Sequence, residues 1–176
     1  AGLASGEGQA PDQTSTRVDG QNEVCHVVGN DLFPSYHTRP GGTRQDVLAV
    51  LGGQEPVFRL NDDALAWLAE SSCSPGLVLR LRGALLWDTE LTAAELTTSL
   101  LVAGLSLNKQ QQQQVWDALA VAAYHAQTGV PIVRWLLSDD ASVYHWLTDE
   151  HGLCWVHDGR HYAKLSPVVP LHRCVG

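Results

Sequence analysis

The chain has 176 residues, of which 44% are hydrophobic, and this is enough for one domain with a sizeable core. No apolar run approaches the roughly 20 residues that a membrane-spanning helix needs, so the sequence predicts no membrane segment. The formal net charge of −8 argues against a generally basic nucleic-acid-binding surface, although carboxylates that hold a metal ion are themselves acidic.

The start of the chain and its cysteines bear on cellular location. The chain begins at Ala1, contains no methionine, and opens without a basic region followed by an apolar core. We therefore expect no secretory signal and an internal piece of a longer protein. The cysteines form no Cys-x-x-Cys pair, which favours reduced thiols in a cytoplasmic protein. They are Cys25, Cys73, Cys154 and Cys174.

The first third of the chain predicts strands and then a helix. Residues 1–10 are rich in Gly, Ala and Ser and are expected to form a disordered tail. Asp19-Gly20 is typical of a two-residue hairpin turn, and Pro34 indicates an edge strand or a bulge. Thr43 can cap a helix that ends at Leu51. The predicted strands of this antiparallel meander are Asp12–Val18, Glu23–Val28 and Leu32–Thr38.

Residues 52–108 predict a mostly helical insertion. Val57–Leu60 is a candidate short strand, and Asp62 or Asp63 can cap a following helix. The spacing Thr92-x-x-Glu95 is that of a capping box ahead of another helix.

A long helix is predicted over Lys109–Gln127, capped by Asn108 and stopped by Gly129 and Pro131. Its glutamine run, Gln110–Gln114, suits either a solvated helix face or a partner-binding surface.

An acidic strand end follows the long helix. The apolar run Ile132–Leu137 predicts a buried strand, and Asp139 and Asp140 come directly after it. A helical segment around Ser142–Leu147 and a second short strand over Leu153–Val156 are expected next. In open α/β sheets, ligands and metals collect at such carboxyl ends of strands.

In outline, these elements predict an α/β (α+β) protein that resembles a ribonuclease-H-like core. Residues 11–51 form its first part, 52–108 the insertion, and 109–176 the second part, with a later central strand and an incomplete C-terminal side. In that architecture the first strand and the acidic strand lie side by side, so Asp12 and Asp139 could meet.

Two carboxylates on adjacent strands suit Mg²⁺ or Mn²⁺, which prefer oxygen ligands. Asp139 is the preferred second ligand because it falls on the same face as Trp135, whereas Asp140 faces away from it. The competing interpretation is that Asp12 lies in a frayed tail and that Asp139 only caps the next helix.

The last part of the chain carries candidate metal and DNA ligands. Cys154-x-x-His157-x-x-x-His161 has spacing reminiscent of zinc ligation, but a structural zinc site normally needs four ligands, which favours a buried cysteine and polar histidines. Basic side chains here could contact phosphate or lie on a solvated helix face. The DNA-contact candidates are His157, Arg160, His161 and Lys164.

Several blocks together resemble the catalytic domain of bacterial insertion-sequence transposases of the DDE type. They span roughly Asp12 to His172 in the family's order, and the block that begins at Cys154 is the most specific. The matching blocks are Asp12–Thr14, Arg17–Gly20, Cys25–Asn30, Tyr36–Thr38, Ala122–Thr128, Ser138–Ala141 and Leu153–Tyr162.

The resemblance implies an enzyme that cuts DNA at element ends and joins the free 3′-hydroxyl to target DNA, using two Mg²⁺ or Mn²⁺ ions. Asp12 would be the first catalytic acid and Asp139, or else Asp140, the second. The third acid, a glutamate, is not found, and Glu150 is a poor substitute because it precedes the Cys154 block. We therefore expect a truncated transposase fragment that is inactive alone.

The implied partners are element-end and target DNA, a second copy of the chain or a full-length transposase, and no membrane or small-molecule cofactor. Two other functions remain open. One is a non-catalytic module that binds DNA or transposase, and the other is a metal-dependent nuclease that cuts without strand transfer.

Overall fold

The computed structural model describes residues 7–129 and 131–162, apart from the side chains of Asp158, Arg160 and His161. The first three elements are antiparallel strands joined in sequence order, which confirms the predicted meander. Asp19 and Gly20 both have positive φ (48° and 80°), as a two-residue hairpin turn between twisted strands requires. The strands are β1 (Gly8–Val18), β2 (Gln21–Gly29) and β3 (Pro34–Arg39).

Strand β1 begins at Gly8, which is earlier than the sequence indicated. The expected disordered tail over residues 1–10 is therefore wrong for its last three residues, while residues 1–6 lie outside the described part. The physical reason is tertiary: Gly8 and Gln9 pair with Trp135 and Leu136, a contact that local composition cannot reveal.

Two further strands, β6 (Trp135–Ser138) and β7 (Glu150–Leu153), complete a five-stranded mixed sheet. The strand order is β3-β2-β1-β6-β7, with β6 parallel to both of its neighbours. The chain is therefore a mixed α and β protein whose acidic strand lies inside the sheet, next to β1.

The predicted boundaries around β6 need correction. The run Ile132–Leu137 enters the sheet only from Trp135, because the Val133 N–H donates to the Tyr124 hydroxyl (3.0 Å) instead of a neighbouring strand. The segment Ser142–Leu147 forms only a 3₁₀ turn, Ser142–Tyr144. Two of its carbonyl groups accept hydrogen bonds from the side chain of Arg44, which is distant in sequence. Trp146 has a φ of +70°, and this conformation ends any helix.

The predicted strand Leu153–Val156 is also wrong beyond its first residue. Strand β7 ends at Leu153, and α6 (Trp155–Tyr162) begins two residues later. Cys154 stands between them and donates its N–H to the Ser138 carbonyl (2.7 Å), so it is the last residue tied to the sheet.

Helices α1 (Arg44–Gly52) and α5 (Lys109–Ala126) pack against one another and share one core with the sheet. Both are capped as predicted. Thr43 forms a capping box with Asp46, and Asn108 forms one with Gln111. Val28 of β2 and Leu136 of β6 are buried in this core, whereas Trp135 and Leu137 on the opposite face are 39% and 41% exposed.

Residues 52–108 form a mostly helical unit with a small two-stranded sheet. The predicted capping box Thr92–Glu95 is present, but the helix after Leu60 is capped by Asn61 rather than by Asp62 or Asp63. Asn61 accepts a hydrogen bond from the Ala64 N–H (3.1 Å), so both aspartates lie in the first turn of the helix. The elements are β4 (Phe58–Arg59), α2 (Asp62–Glu70), α3 (Pro75–Ala84), β5 (Glu90–Leu91) and α4 (Ala93–Val102).

Within residues 7–129 and 131–162, no helix is both long and apolar enough to cross a bilayer. The thiols of Cys25, Cys73 and Cys154 are free, and Cys174 lies outside the described residues.

Candidate functional site at the β1–β6 junction

The candidate site is built on the parallel contact between β1 and β6. Gly8 lies beside Trp135 and Gln9 beside Leu136. A Cβ atom on Gly8 would lie 1.8 Å from Cε2 of the Trp135 indole, so the two strands can approach this closely only because residue 8 is glycine. The Trp135 ring therefore covers Gly8 on one face of the sheet.

This contact fixes the face on which Asp12 lies. Side chains alternate between the faces of a strand, so Asp12 lies on the same face as Gly8, whereas Asp139 comes just after the end of β6. The two strands pair at Gly8–Trp135 and Gln9–Leu136, and the same offset continued for three more residues would bring Asp12 level with Asp139. Asp12 is thus an ordered strand residue and does not belong to a frayed tail.

Tyr144 reports the charge of both acids. Its side chain is buried, and its pKa is raised first by burial and then by the negative charges of Asp139 and Asp12. Both carboxylates are therefore near enough to Tyr144 to disfavour its ionised form. The Tyr144 hydroxyl meets no hydrogen-bond partner among the described residues.

Asp139 and Asp140 have different surroundings. Asp139 is half-buried, and its Oδ1 accepts a hydrogen bond from the Ala141 N–H (3.2 Å), as a residue that starts a turn would. Asp140 is exposed and lies 3.2 Å from Nε2 of His145. The competing expectation that Asp139 caps the next helix is wrong, because the 3₁₀ turn that follows starts after Ala141 and has no side-chain cap.

Two histidines lie near Asp139 and Asp140. The rings of His145 and His151 lie 5.7 Å apart, and Nε2 of His151 is 2.7 Å from the Ser138 hydroxyl. Because that hydroxyl donates to the Asp139 carbonyl (2.8 Å), the histidine donates to Ser138.

The pKa of His151 is lowered by burial and by the neighbouring charge of His145, against the opposing pull of Asp140 and Asp139. Sequence reasoning assigned no role to either histidine. The one signal was their position, with His145 in the segment between β6 and β7 and His151 at the start of β7.

Arg44, at the start of α1, holds the loop that follows Asp139. Its guanidinium donates to the carbonyl groups of Ser142 and His145, and its Nε faces the Asp117 carboxylate at 3.5 Å. Both charges are largely buried. Burial lowers the pKa of Arg44 and raises that of Asp117, so the cost of desolvation exceeds the attraction between the two charges. Gln45 and Gln113 complete this network by donating to Asp117 Oδ1.

The remaining predicted ligands are only partly described. The pKa of the Cys154 thiol is lowered, first by a hydrogen bond from the His157 side chain and then by backbone N–H groups of His157 and Val156. The side chains of Arg160 and His161, and all of Lys164 and His172, lie outside the described residues. Among the residues that are described, no three His, Cys, Asp or Glu side chains are grouped to hold a metal ion.

Comparison with known proteins gives one distant relative. No protein-family model matches the chain, and no solved structure matches it. "Uncharacterized protein y4jO" of Sinorhizobium fredii is 25% identical over 178 residues, which cover 97% of this chain. The chain spans only 52% of that relative's length.

Proposed function

We propose that this chain supplies two metal-binding carboxylates, Asp12 and Asp139, to a DNA-transposing enzyme of the DDE type. The observation that supports the proposal is the parallel pairing of β1 with β6, because the same offset continued beyond the paired residues would bring Asp12 level with Asp139. The order of the five strands, three antiparallel and two parallel, supports a ribonuclease-H-like core as part of the same proposal.

The donor set suits divalent metal ions of the hard class. Asp12 and Asp139 offer carboxylate oxygens, and Mg²⁺ keeps several waters when it is held by one or two carboxylates. When bound, a pair of such ions would activate the attacking oxygen and stabilise the leaving oxygen of a phosphodiester. The proposal assigns the third carboxylate to a part of the protein outside this chain, so this chain alone is expected to join no DNA strands.

The chain's own residues position the carboxylates. Arg44 fixes the carbonyl groups of Ser142 and His145, and thereby the loop that begins at Asp139. Tyr144 adds no third negative charge at neutral pH, as for any tyrosine, and its raised pKa extends the neutral form to higher pH.

Binding of Mn²⁺, followed by electron paramagnetic resonance, tests the proposal. We expect Asp12→Asn and Asp139→Asn each to weaken binding at least tenfold, or by about 1.4 kcal/mol or more, because each removes a charged ligand. Asp140→Asn is the matched control, since the neighbouring carboxylate is exposed and pairs with His145. Equal losses from all three variants would mean nonspecific attraction of the cation to an acidic surface and would refute the site.

A DNA-binding module without metal chemistry gives a different result. Its affinity for element-end DNA would fall with added salt and would not respond to Asp139→Asn, because phosphate contacts release counterions. Strand transfer by the isolated chain, in the presence of Mn²⁺, would overturn the fragment interpretation, and cleavage without joining would favour a nuclease.

A further inference from the structure

A second concave site lies at the opposite end of β6 from Asp139. It is a cavity of about 520 Å³ between α2, α5, the segment before β6 and the segment before β7. That volume is within the range of about 300–1,000 Å³ that is usual for sites of small ligands. Because the cavity opens where the parallel strands begin, it is separate from the acids at their far ends.

The walls of the cavity are largely apolar and include two indoles. Trp67 from α2 and Trp146 from the loop before β7 both line it, together with Val121, Ile132 and Val133. Trp146 is held at a φ of +70°, a strained conformation for a bulky residue, while the residue stays 41% exposed. The indole N–H of Trp67 is buried and meets no acceptor among the described residues.

The charge around the cavity is negative. Asp63 and Asp149 line it, and the basic residues in its lining, among those described, are His125 and Arg134. The guanidinium of Arg134 already faces two carboxylates, Glu7 at 3.7 Å and Glu150 at 3.9 Å. Arg134 is therefore already paired with two carboxylates outside the cavity lining, and Asp63 and Asp149 remain to attract an additional positive charge.

His125 is held in the wall of the cavity by two contacts. Its Nε2 donates to the Leu147 carbonyl (3.2 Å), and its Nδ1 lies 3.7 Å from the Asp63 carboxylate. The Asp63 side chain is 58% exposed and so remains accessible from the mouth of the cavity.

We propose that this cavity binds a small organic cation, with its ammonium group between Asp63 and Asp149 and its apolar body against Trp67 and Trp146. The carboxylates supply charge-assisted hydrogen bonds. The face of the Trp146 indole attracts a cation and covers an apolar ring, whereas the Trp67 ring already has the Arg44 guanidinium over it (5.6 Å to the centroid) and supplies an apolar wall. The inference is independent of the proposed metal site, because the residues at the two sites do not overlap.

Tyramine is a suitable probe because it joins an ammonium group, an apolar ring and a phenolic oxygen that can accept a hydrogen bond. Calorimetric titration of the full chain should show binding of tyramine with a Kd of about 1 mM or tighter, or roughly −4 kcal/mol. Tyrosol replaces the ammonium with a neutral hydroxyl and should bind at least tenfold more weakly. The anion 4-hydroxyphenylacetate should not bind measurably.

Variants separate the cavity from general attraction to an acidic protein. Asp63→Asn and Asp149→Asn should each weaken tyramine binding three- to tenfold, and Trp146→Ala should weaken it through the lost ring contact. Asp62→Asn is the matched control, since Asp62 is exposed in the same helical turn but does not line the cavity. Asp139→Asn should leave tyramine affinity unchanged even if it abolishes Mn²⁺ binding.

Three outcomes would overturn the proposal: no tyramine binding at 10 mM, tyrosol binding as tightly as tyramine, or equal effects of Asp62→Asn and Asp63→Asn. Thermal unfolding of each variant shows whether a loss of binding comes from a loss of fold.

Discussion

At the scale of single residues, two side chains near Asp139 have shifted pKa values, and both shifts favour the neutral form. His151 donates to Ser138, next to the backbone of Asp139, and its lowered pKa keeps it neutral there over a wider pH range. Burial and the charges of two nearby carboxylates raise the pKa of Tyr144, so its hydroxyl stays neutral at still higher pH than that of an ordinary tyrosine.

The lowered pKa of His151 predicts acid sensitivity. The unfolded chain takes up a proton at this histidine at a higher pH than the folded chain does, so stability falls as the pH drops below about 6.5 towards the lowered pKa. Urea unfolding from pH 7.5 to pH 5 should show this loss in the unchanged protein and a smaller loss in His151→Gln.

His145→Gln should reduce the same loss partly, because the charge of His145 is one cause of the lowered pKa of His151. A constant difference in stability between the unchanged protein and His151→Gln at every pH would contradict this account.

At the scale of elements, the buried Arg44–Asp117 contact joins α1, α5 and the loop after β6. It links a helix at the start of the chain to the segment that carries Asp139, which neither neighbouring strands nor local turns would do. Since desolvation makes such a pair costly, its contribution is to hold one arrangement of the loop more than to add stability.

Removal of Arg44 should therefore lower the free energy of unfolding far more than removal of an exposed charge does. Arg44→Met leaves the Asp117 carboxylate buried without its cation, and we expect a loss of about 3–5 kcal/mol in the free energy of unfolding. Glu55→Gln is the control, because Glu55 is 74% exposed in its pair with Arg39 and should change stability by less than about 1 kcal/mol.

The pH dependence of Arg44→Met tests the cause. Without the guanidinium the pKa of Asp117 should rise further, so the folded chain holds its proton where the unfolded chain has lost it. The loss in the free energy of unfolding of Arg44→Met, relative to the unchanged protein, should then grow as pH rises from about 4 through the raised pKa of Asp117. A deficit that is equal at all pH values would indicate lost packing alone.

At the scale of the whole molecule, the two parts of the sheet depend on one close approach. Gly8→Ala should cost about 1–3 kcal/mol, because the added methyl group overlaps the Trp135 indole. Gly83→Ala in α3 has no atom within 4 Å of the new methyl group and should be neutral or slightly stabilising. Chemical denaturation measures both.

A double-mutant cycle with Trp135→Ala identifies the origin of that cost. If the indole is responsible, Gly8→Ala should be almost without effect in the Trp135→Ala background. A full, additive cost in the double variant would place the strain elsewhere in β1.

The sequence predicts those parts of this fold that depend on neighbours in the chain. The hairpin at Asp19-Gly20 and the caps at Thr43, Thr92 and Asn108 follow from the chemistry of a few consecutive residues, and all are present. The boundaries that were wrong depend on distant partners, such as the Tyr124 hydroxyl that takes the Val133 N–H away from the sheet.

The features of the candidate site also separate into those that local sequence predicts and those that depend on distant contacts. Alternation along a strand predicts that Asp139 shares the face of Trp135, and that statement is local. No local pattern predicts that Arg44 would reach the carbonyl groups of the loop, or that His151 would lie beside Ser138. The pairing of Asp12 with Asp139 as metal ligands remains a prediction that Mn²⁺ binding must test.

The contact between Gly8 and Trp135 also sets an order of events during translation. The β1–β3 meander can form soon after Arg39 leaves the ribosome, because its pairings are local in sequence. The other edge of β1 must wait until Ser138 has emerged, and until then the nascent chain presents unpaired backbone groups to any passing strand. Synthesis of the helical middle is therefore the interval in which chaperones matter most to this protein.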